Sequence, residues 1–177
     1  ANGFAEVIIG RENGSGLVTV DGNVVLDDPT VVRSPSGSGA IDTTGGTLVA
    51  VDNASLTLQA NQTITTGNII IPGPNRTLTI ESTSGTIDTT NGGVNADSPS
   101  GGGTVVATAG GTIVTGTITT SAIDSGSSSG AESGSVGDAG PISLIAGGDI
   151  RITAPLEARS ESSNDAGNGA AITLNAG

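Results

Sequence analysis

The sequence predicts an all-β chain wound as a right-handed parallel β-helix, and three observations carry that prediction. Short apolar runs alternate with Thr, Ser or charge, a phrase of strand, small-residue corner and strand recurs along the chain, and the side chains that fill a wide core are missing. The 177 residues hold one aromatic, Phe4, and no Cys, His, Met, Trp or Tyr, whereas Gly takes 30 positions. Aromatic rings supply the largest packets of buried apolar area, so an interior without them must be narrow and filled by Val, Ile, Leu, Ala and Thr. A β-sandwich, with layers about 10 Å apart, calls for bulkier inward residues.

Taken in order, the first strands read VIIG at Val7 to Gly10, GLVTV at Gly16 to Val20, NVVL at Asn23 to Leu26, TVV at Thr30 to Val32 and TLVAV at Thr47 to Val51. Each is short and bounded by Gly, Asn, Asp or Pro, as strands are. The phrase then sharpens into SLTLQANQTITTGNI (Ser55 to Ile69), TLTIESTSGTIDTT (Thr77 to Thr90), TVVATAGGTIVTGTITT (Thr104 to Thr120), PISLIAGGDIRI (Pro141 to Ile152) and AAITLNAG (Ala170 to Gly177). Alternate residues of a strand share a face, so Leu56/Leu58, Leu78/Ile80, Ile142/Leu144 and Ile150/Ile152 are expected inside. The last copy stops partway through the phrase, which suggests a fragment or a unit that continues into a neighbour.

No apolar period of 3.6 is sustained with the caps a helix needs, and Gly and β-branched residues interrupt every candidate, so essentially no helix is expected. Leu56 to Leu78 is 22 residues, Leu78 to Val105 is 27 and Leu144 to Leu174 is 30, spacings that suit coils with tolerant corners. Coils of about 20 to 30 residues would number roughly seven or eight in a single solenoid segment over 1–177. The polar, Gly/Ser-rich stretches Asn95 to Gly103, Ser125 to Gly140 and Ser160 to Gly169 are expected as surface loops inserted at corners.

Five arginines, Arg11, Arg33, Arg76, Arg151 and Arg159, stand against 17 carboxylates, a formal charge of −12. That balance disfavours nucleic acid and anionic lipid as partners, and it keeps a repetitive β-protein soluble. No window has the roughly 18 apolar residues of a membrane span, and residues 1–20 lack the basic start and apolar stretch of a signal peptide.

The stretches ANGFAEVIIGRENGSGLVTVDGNVVLDDPTVV (Ala1 to Val32) and GAIDTTGGTLVAVDNASLTLQANQTITTGNI (Gly39 to Ile69) resemble the filamentous-haemagglutinin-like exoproteins of bacteria, especially cyanobacterial ones. The resemblance implies a right-handed parallel β-helix in a long surface-exposed or released protein, commonly exported by two-partner secretion. Members of that family act as adhesins, matrix components or scaffolds for a distal toxin. The NPNG-type signature of the family's amino-terminal secretion domain is not found in this sequence, so the resemblance implies an internal stretch.

Without His, Cys or Lys the usual nucleophile and base pairings are unavailable, and no catalytic, cofactor or metal residue is expected. Asp27 and Asp28 could suggest a glycosidase pair, but neighbours in a strand face opposite ways and a solvated turn before Pro29 is the simpler reading. GSVGDAG (Gly134 to Gly140) has the flavour of a calcium-binding nonapeptide but occurs once. Thr-x-Thr pairs at Thr63/Thr65, Thr77/Thr79 and Thr117/Thr119 could build an ice-binding ladder only if held in one register, whereas outward Thr is ordinary in strands. Sequons at Asn13, Asn53, Asn61 and Asn75 are expected by chance in so Asn- and Thr-rich a chain.

The expected function is therefore an extracellular or cell-surface structural or adhesive β-solenoid, part of a fibre, matrix or head-to-tail filament. Expected partners are further copies stacked end to end, or flanking repeats of the same chain, with Val7 to Gly10 and Ala170 to Gly177 at opposite ends. The alternative is a binding module whose long loops contact a glycan, a cation or a host surface.

Overall fold

The computed structural model describes residues 3–52, 54–123, 136–161 and 167–177. Among them every regular element is a strand, and every strand pairing is parallel. The first coil is β1 (Val7–Gly10), β2 (Leu17–Asp21) and β3 (Val24–Leu26); the second is β4 (Thr30–Ser34), β5 (Ala40–Gly45) and β6 (Thr47–Ala50). The third is β7 (Leu56–Ala60), β8 (Ile64–Thr65) and β9 (Asn68–Ile70), and the fourth is β10 (Thr77–Ser82), β11 (Ile87–Asp88) and β12 (Val94–Asn95). The fifth is β13 (Thr104–Ala109), β14 (Ile113–Thr115), β15 (Ile118–Thr119) and a short β16 (Ala122–Ile123). The sixth is β17 (Ile142–Ala146), β18 (Ile150–Ile152), β19 (Leu156–Glu157) and β20 (Ser160–Glu161), and β21 (Ile172–Ala176) opens another turn.

Successive coils stack their first strands into a seven-stranded sheet and their second and third strands into two six-stranded sheets. The molecule is a parallel β-solenoid of about six turns, not the seven or eight expected from coil length. The difference comes from the later coils, which take more chain than expected: Val105 pairs with Ile142, 37 residues on, and Ile142 with Ile172, 30 residues on. Loop closure grows only slowly in cost with length, so a coil of 37 residues is tolerated beside coils of 22 to 30.

The interior is a set of columns. In the second sheet Val18, Ile41, Ile64, Ile87, Ile113 and Ile150 lie one above another in register. In the third, Val24, Leu48, Ile69, Val94, Ile118 and Leu156 do the same. The first contributes Leu56, Leu78, Val105 and Ile142, with Leu58, Ile80, Ala107 and Leu144 beside them. These residues form one continuous core, and each large side chain fully withdrawn from water contributes about 1.5–3 kcal/mol.

Where the second sheet turns into the third, Thr43, Thr66, Thr89 and Thr115 are buried as a column of their own. The Thr43 hydroxyl accepts the Gly67 N–H at 3.2 Å, and that of Thr89 accepts the Gly116 N–H at 3.0 Å, each from the following coil. The hydroxyls of Thr66 and Thr115 are buried without a partner. Glycine is required at this corner because coils approach backbone to backbone: a Cβ at Gly67 would lie 2.6 Å from the Gly46 carbonyl oxygen, and one at Gly116 2.6 Å from that of Thr89. On the outer side, the Thr44 N–H and hydroxyl both donate to Asp42, and these bonds, the backbone one foremost, hold its carboxyl below the usual aspartate value.

The three Gly/Ser-rich stretches fall at one corner, between the third sheet and the first, and the parts described stack on one another. Asn95 still belongs to β12, and Asp97 beyond it accepts the Ser121 N–H at 2.6 Å. Of the stretch 125–140, residues 125–135 lie outside the described residues, whereas Val136 and Ala139 are buried and Gly140 donates to the Thr120 carbonyl. Of 160–169, Ser160 and Glu161 form β20, residues 162–166 lie outside the described residues, and Asn168 donates its N–H and its Nδ2 to Asp138 at 2.7 and 3.1 Å. A Gly/Ser-rich composition therefore continues the wall here, because carboxylates and backbone groups of neighbouring coils satisfy each other.

Candidate functional site: the two ends and the flank

Both ends of the solenoid leave interior residues uncovered. Ile142 and Leu144 are fully buried, but Ile172 and Leu174, their partners in β21, are 40% and 47% exposed. Ile152 in β18 is exposed as well. At the opposite end Ile9, over the buried Val32, is exposed, and Val18 and Val24 are only half-buried. Val7 to Gly10 and Ile172 to Ala176 are the outermost strands of the seven-stranded sheet, as the sequence reading placed them. Among the described residues, the outer edges of β1, β2 and β3 at one end, and of β21, β18 and β19 at the other, pair with no further strand. Unpaired parallel edges of this kind present N–H and C=O groups to any strand that arrives in register.

The outer wall changes character along the axis. On the third sheet the outward row reads Val25, Val49, Ile70, Asn95, Thr119 and Glu157 from first coil to sixth. Ile8 and Leu17 add exposed apolar side chains on the other two faces of the first coil, and Phe4 precedes them. A groove of about 330 Å³ runs along the third sheet, lined among others by Thr47, Asn68, Ile70, Asn95, Asp97 and Thr119. In it Asn68 accepts the Gly93 N–H and Asn95 the Asp97 N–H, each at 3.1 Å, so its amides brace the wall.

The residues singled out in the sequence are dispersed. Asp27 is exposed and Asp28 half-buried at the corner between β3 and β4, where the Asp28 carbonyl accepts the Thr30 hydroxyl. Thr63/Thr65 lie at and before β8 in the second sheet, Thr77/Thr79 in the first and Thr117/Thr119 at the third, so the three pairs share no row. Of the GSVGDAG stretch, Val136 to Gly140 is packed into the wall as described above, and Asp138 is engaged by Asn168. Asn13 and Asn75 are exposed, Asn61 donates its side-chain amide to the Gly37 carbonyl, and Asn53 lies outside the described residues. Among the described residues no three His, Cys, Asp or Glu side chains gather as a metal-holding group, and no helix is long and apolar enough to cross a membrane.

No family model, curated protein or solved structure matches the chain.

Proposed function

We propose that the protein is an extracellular, non-catalytic structural element, a rigid β-solenoid whose open ends are continued head to tail, by further copies or by flanking repeats of the same chain, into a surface or matrix fibre that serves adhesion. The observation that carries this reading is the pair of uncovered ends. The same columns that bury Ile142 and Leu144 completely leave Ile172 and Leu174 open, and the strand edges above them are available for pairing. A joint between two unlike ends is heterologous, and repetition of a heterologous joint that does not close into a ring gives a filament. The extracellular setting is supported by the resemblance of residues 1–32 and 39–69 to filamentous-haemagglutinin-like exoproteins.

Electron microscopy of the purified chain across a concentration series tests the reading. Filaments of uniform width that lengthen with concentration are expected. Monodisperse short rods at every concentration would overturn head-to-tail assembly.

A further inference from the structure

The outer face of the third sheet carries two parallel rows of side chains. Over coils two to five one row reads Thr47, Asn68, Gly93 and Thr117, and the other, two residues on, reads Val49, Ile70, Asn95 and Thr119. Gly93 interrupts the first row. Packing explains the glycines near it: a Cβ at Gly67 would lie 2.6 Å from a carbonyl oxygen, and one at Gly92 would lie 2.3 Å from the Gly67 carbonyl carbon. A Cβ at Gly93 would meet nothing nearer than the Thr117 carbonyl oxygen at 3.6 Å, an ordinary contact, and its backbone is not left-handed. The fold has room for a side chain at this position, and the lack of one leaves a notch in the groove of about 330 Å³.

The groups around the notch are set to meet hydroxyls. Asn68 Oδ1 accepts the Gly93 N–H and Asn95 Oδ1 the Asp97 N–H, each at 3.1 Å, so the wall holds the oxygen of each amide and the Nδ2 serves as donor. Asn95 Nδ2 makes only a long 3.4 Å bond to Asp97 Oδ2, while Asp97 Oδ1 accepts the Ser121 N–H at 2.6 Å. The half-buried hydroxyls of Thr117 and Thr119 can donate and accept. Ile70, also half-buried, offers an apolar contact beside them. A sugar ring has this make-up, with hydroxyls that donate and accept at its rim and C–H groups on its faces.

We infer that this groove binds a neutral polysaccharide, with one sugar ring seated over Gly93 between Asn68 and Thr117. Coils repeat at about 4.8 Å, close to the rise of one residue in an extended glycan, so successive rings meet equivalent rows. An acidic polymer is disfavoured, because no arginine is among the groove's lining residues, Asp97 is, and the chain carries a formal charge of −12. An extended peptide is disfavoured too. It would need an unpaired strand edge, whereas the strands beneath the groove are paired on both sides. The inference rests on the adhesive part of the proposed function and names what is held, but its groove lies in coils two to five and does not depend on the ends.

Retention of the dilute chain on gels carrying cellulose, xylan, mannan or starch, with polygalacturonate and gelatin alongside, tests it. Retention on at least one neutral polysaccharide is expected. Gly93→Thr places in the gap the residue that the same row has at Thr47 and Thr117, and it is expected to weaken that retention by about tenfold or more while the thermal midpoint holds or rises. Thr119→Val keeps the shape of the wall and is expected to weaken retention several-fold through a lost hydrogen bond. Equal retention of all three proteins would overturn the site, as would retention on polygalacturonate or gelatin in place of the neutral polymers, or on none of them. Filaments of a chain that no neutral polysaccharide retains would overturn the groove and leave the fibre. A retained chain that stays as single rods would support the groove and remove the fibre.

Discussion

A buried hydroxyl is worth keeping only where it has a partner, and the threonine column at the corner between the second and third sheets contains both cases. Thr43 and Thr89 each satisfy a glycine N–H of the next coil, whereas Thr66 and Thr115 satisfy nothing. Valine has nearly the same shape, so Thr43→Val or Thr89→Val is expected to leave a buried N–H unpaired and lose about 1–3 kcal/mol. Thr66→Val and Thr115→Val remove an unsatisfied group and are expected to change stability by no more than about 0.5 kcal/mol, or to raise it. Midpoints of chemical denaturation for the four variants check this, and equal losses at all four would refute the assignment of partners. Threonine was expected in the interior beside Val, Ile, Leu and Ala, and alternation places it there: Thr43 stands two places after the inward Ile41, and both are buried. Which hydroxyls find a partner was not legible, because that depends on the backbone of the next coil.

At the scale of strands and columns the molecule behaves as a row of nearest neighbours, since each coil touches only the one before and the one after. A truncation therefore costs according to where its coil stands. Ile87 sits in the middle of the second sheet's column, fully buried between Ile64 and Ile113, and Ile87→Ala is expected to cost about 2–5 kcal/mol. Ile172 belongs to an outermost strand and is 40% exposed, so Ile172→Ala is expected to cost under about 1 kcal/mol when the chain is dilute and unassembled. Thermal unfolding at low concentration measures both, and a loss at Ile172 as large as at Ile87 would mean that the end is covered. The alternating pairs Leu56/Leu58, Leu78/Ile80 and Ile142/Leu144 announced these columns because a strand with one buried face has no other way to distribute apolar residues. The described parts of the corner stretches show one composition serving two environments. Gly, Ser, Asn and Asp signal a solvated loop when their polar groups meet water, but the same residues form a wall when the adjacent coil supplies the partners, as Ser121 and Asn168 do for Asp97 and Asp138. Only Val136 and Ala139 hinted at it.

For the whole molecule, two electrostatic effects act on end-to-end assembly with opposite dependence on salt. The rods carry a formal charge of −12 and repel one another, whereas Arg151 and Arg159 attract the carboxylates of an arriving first coil. Exposed ion pairs contribute only about 0–1 kcal/mol each, and Arg159 already lies 3.2 and 2.9 Å from Glu157 and Glu161 of its own coil. The repulsion is summed over 17 carboxylates against five arginines, and it is screened once the Debye length falls to about 10 Å near 0.1 M salt. Repulsion should therefore dominate, and burial of Ile172 and Leu174 at the joint is indifferent to salt. Raising the ionic strength from about 10 to 300 mM is expected to lower the concentration at which filaments form several-fold. Acidification from neutral pH toward the isoelectric point near 4.1 is expected to act in the same direction, because carboxylates lose charge while the arginines keep theirs. Sedimentation of assembled material across a salt and pH series measures both. Filaments that dissolve as salt is added would show instead that the arginine contacts hold the joint and that the uncovered columns contribute little to it.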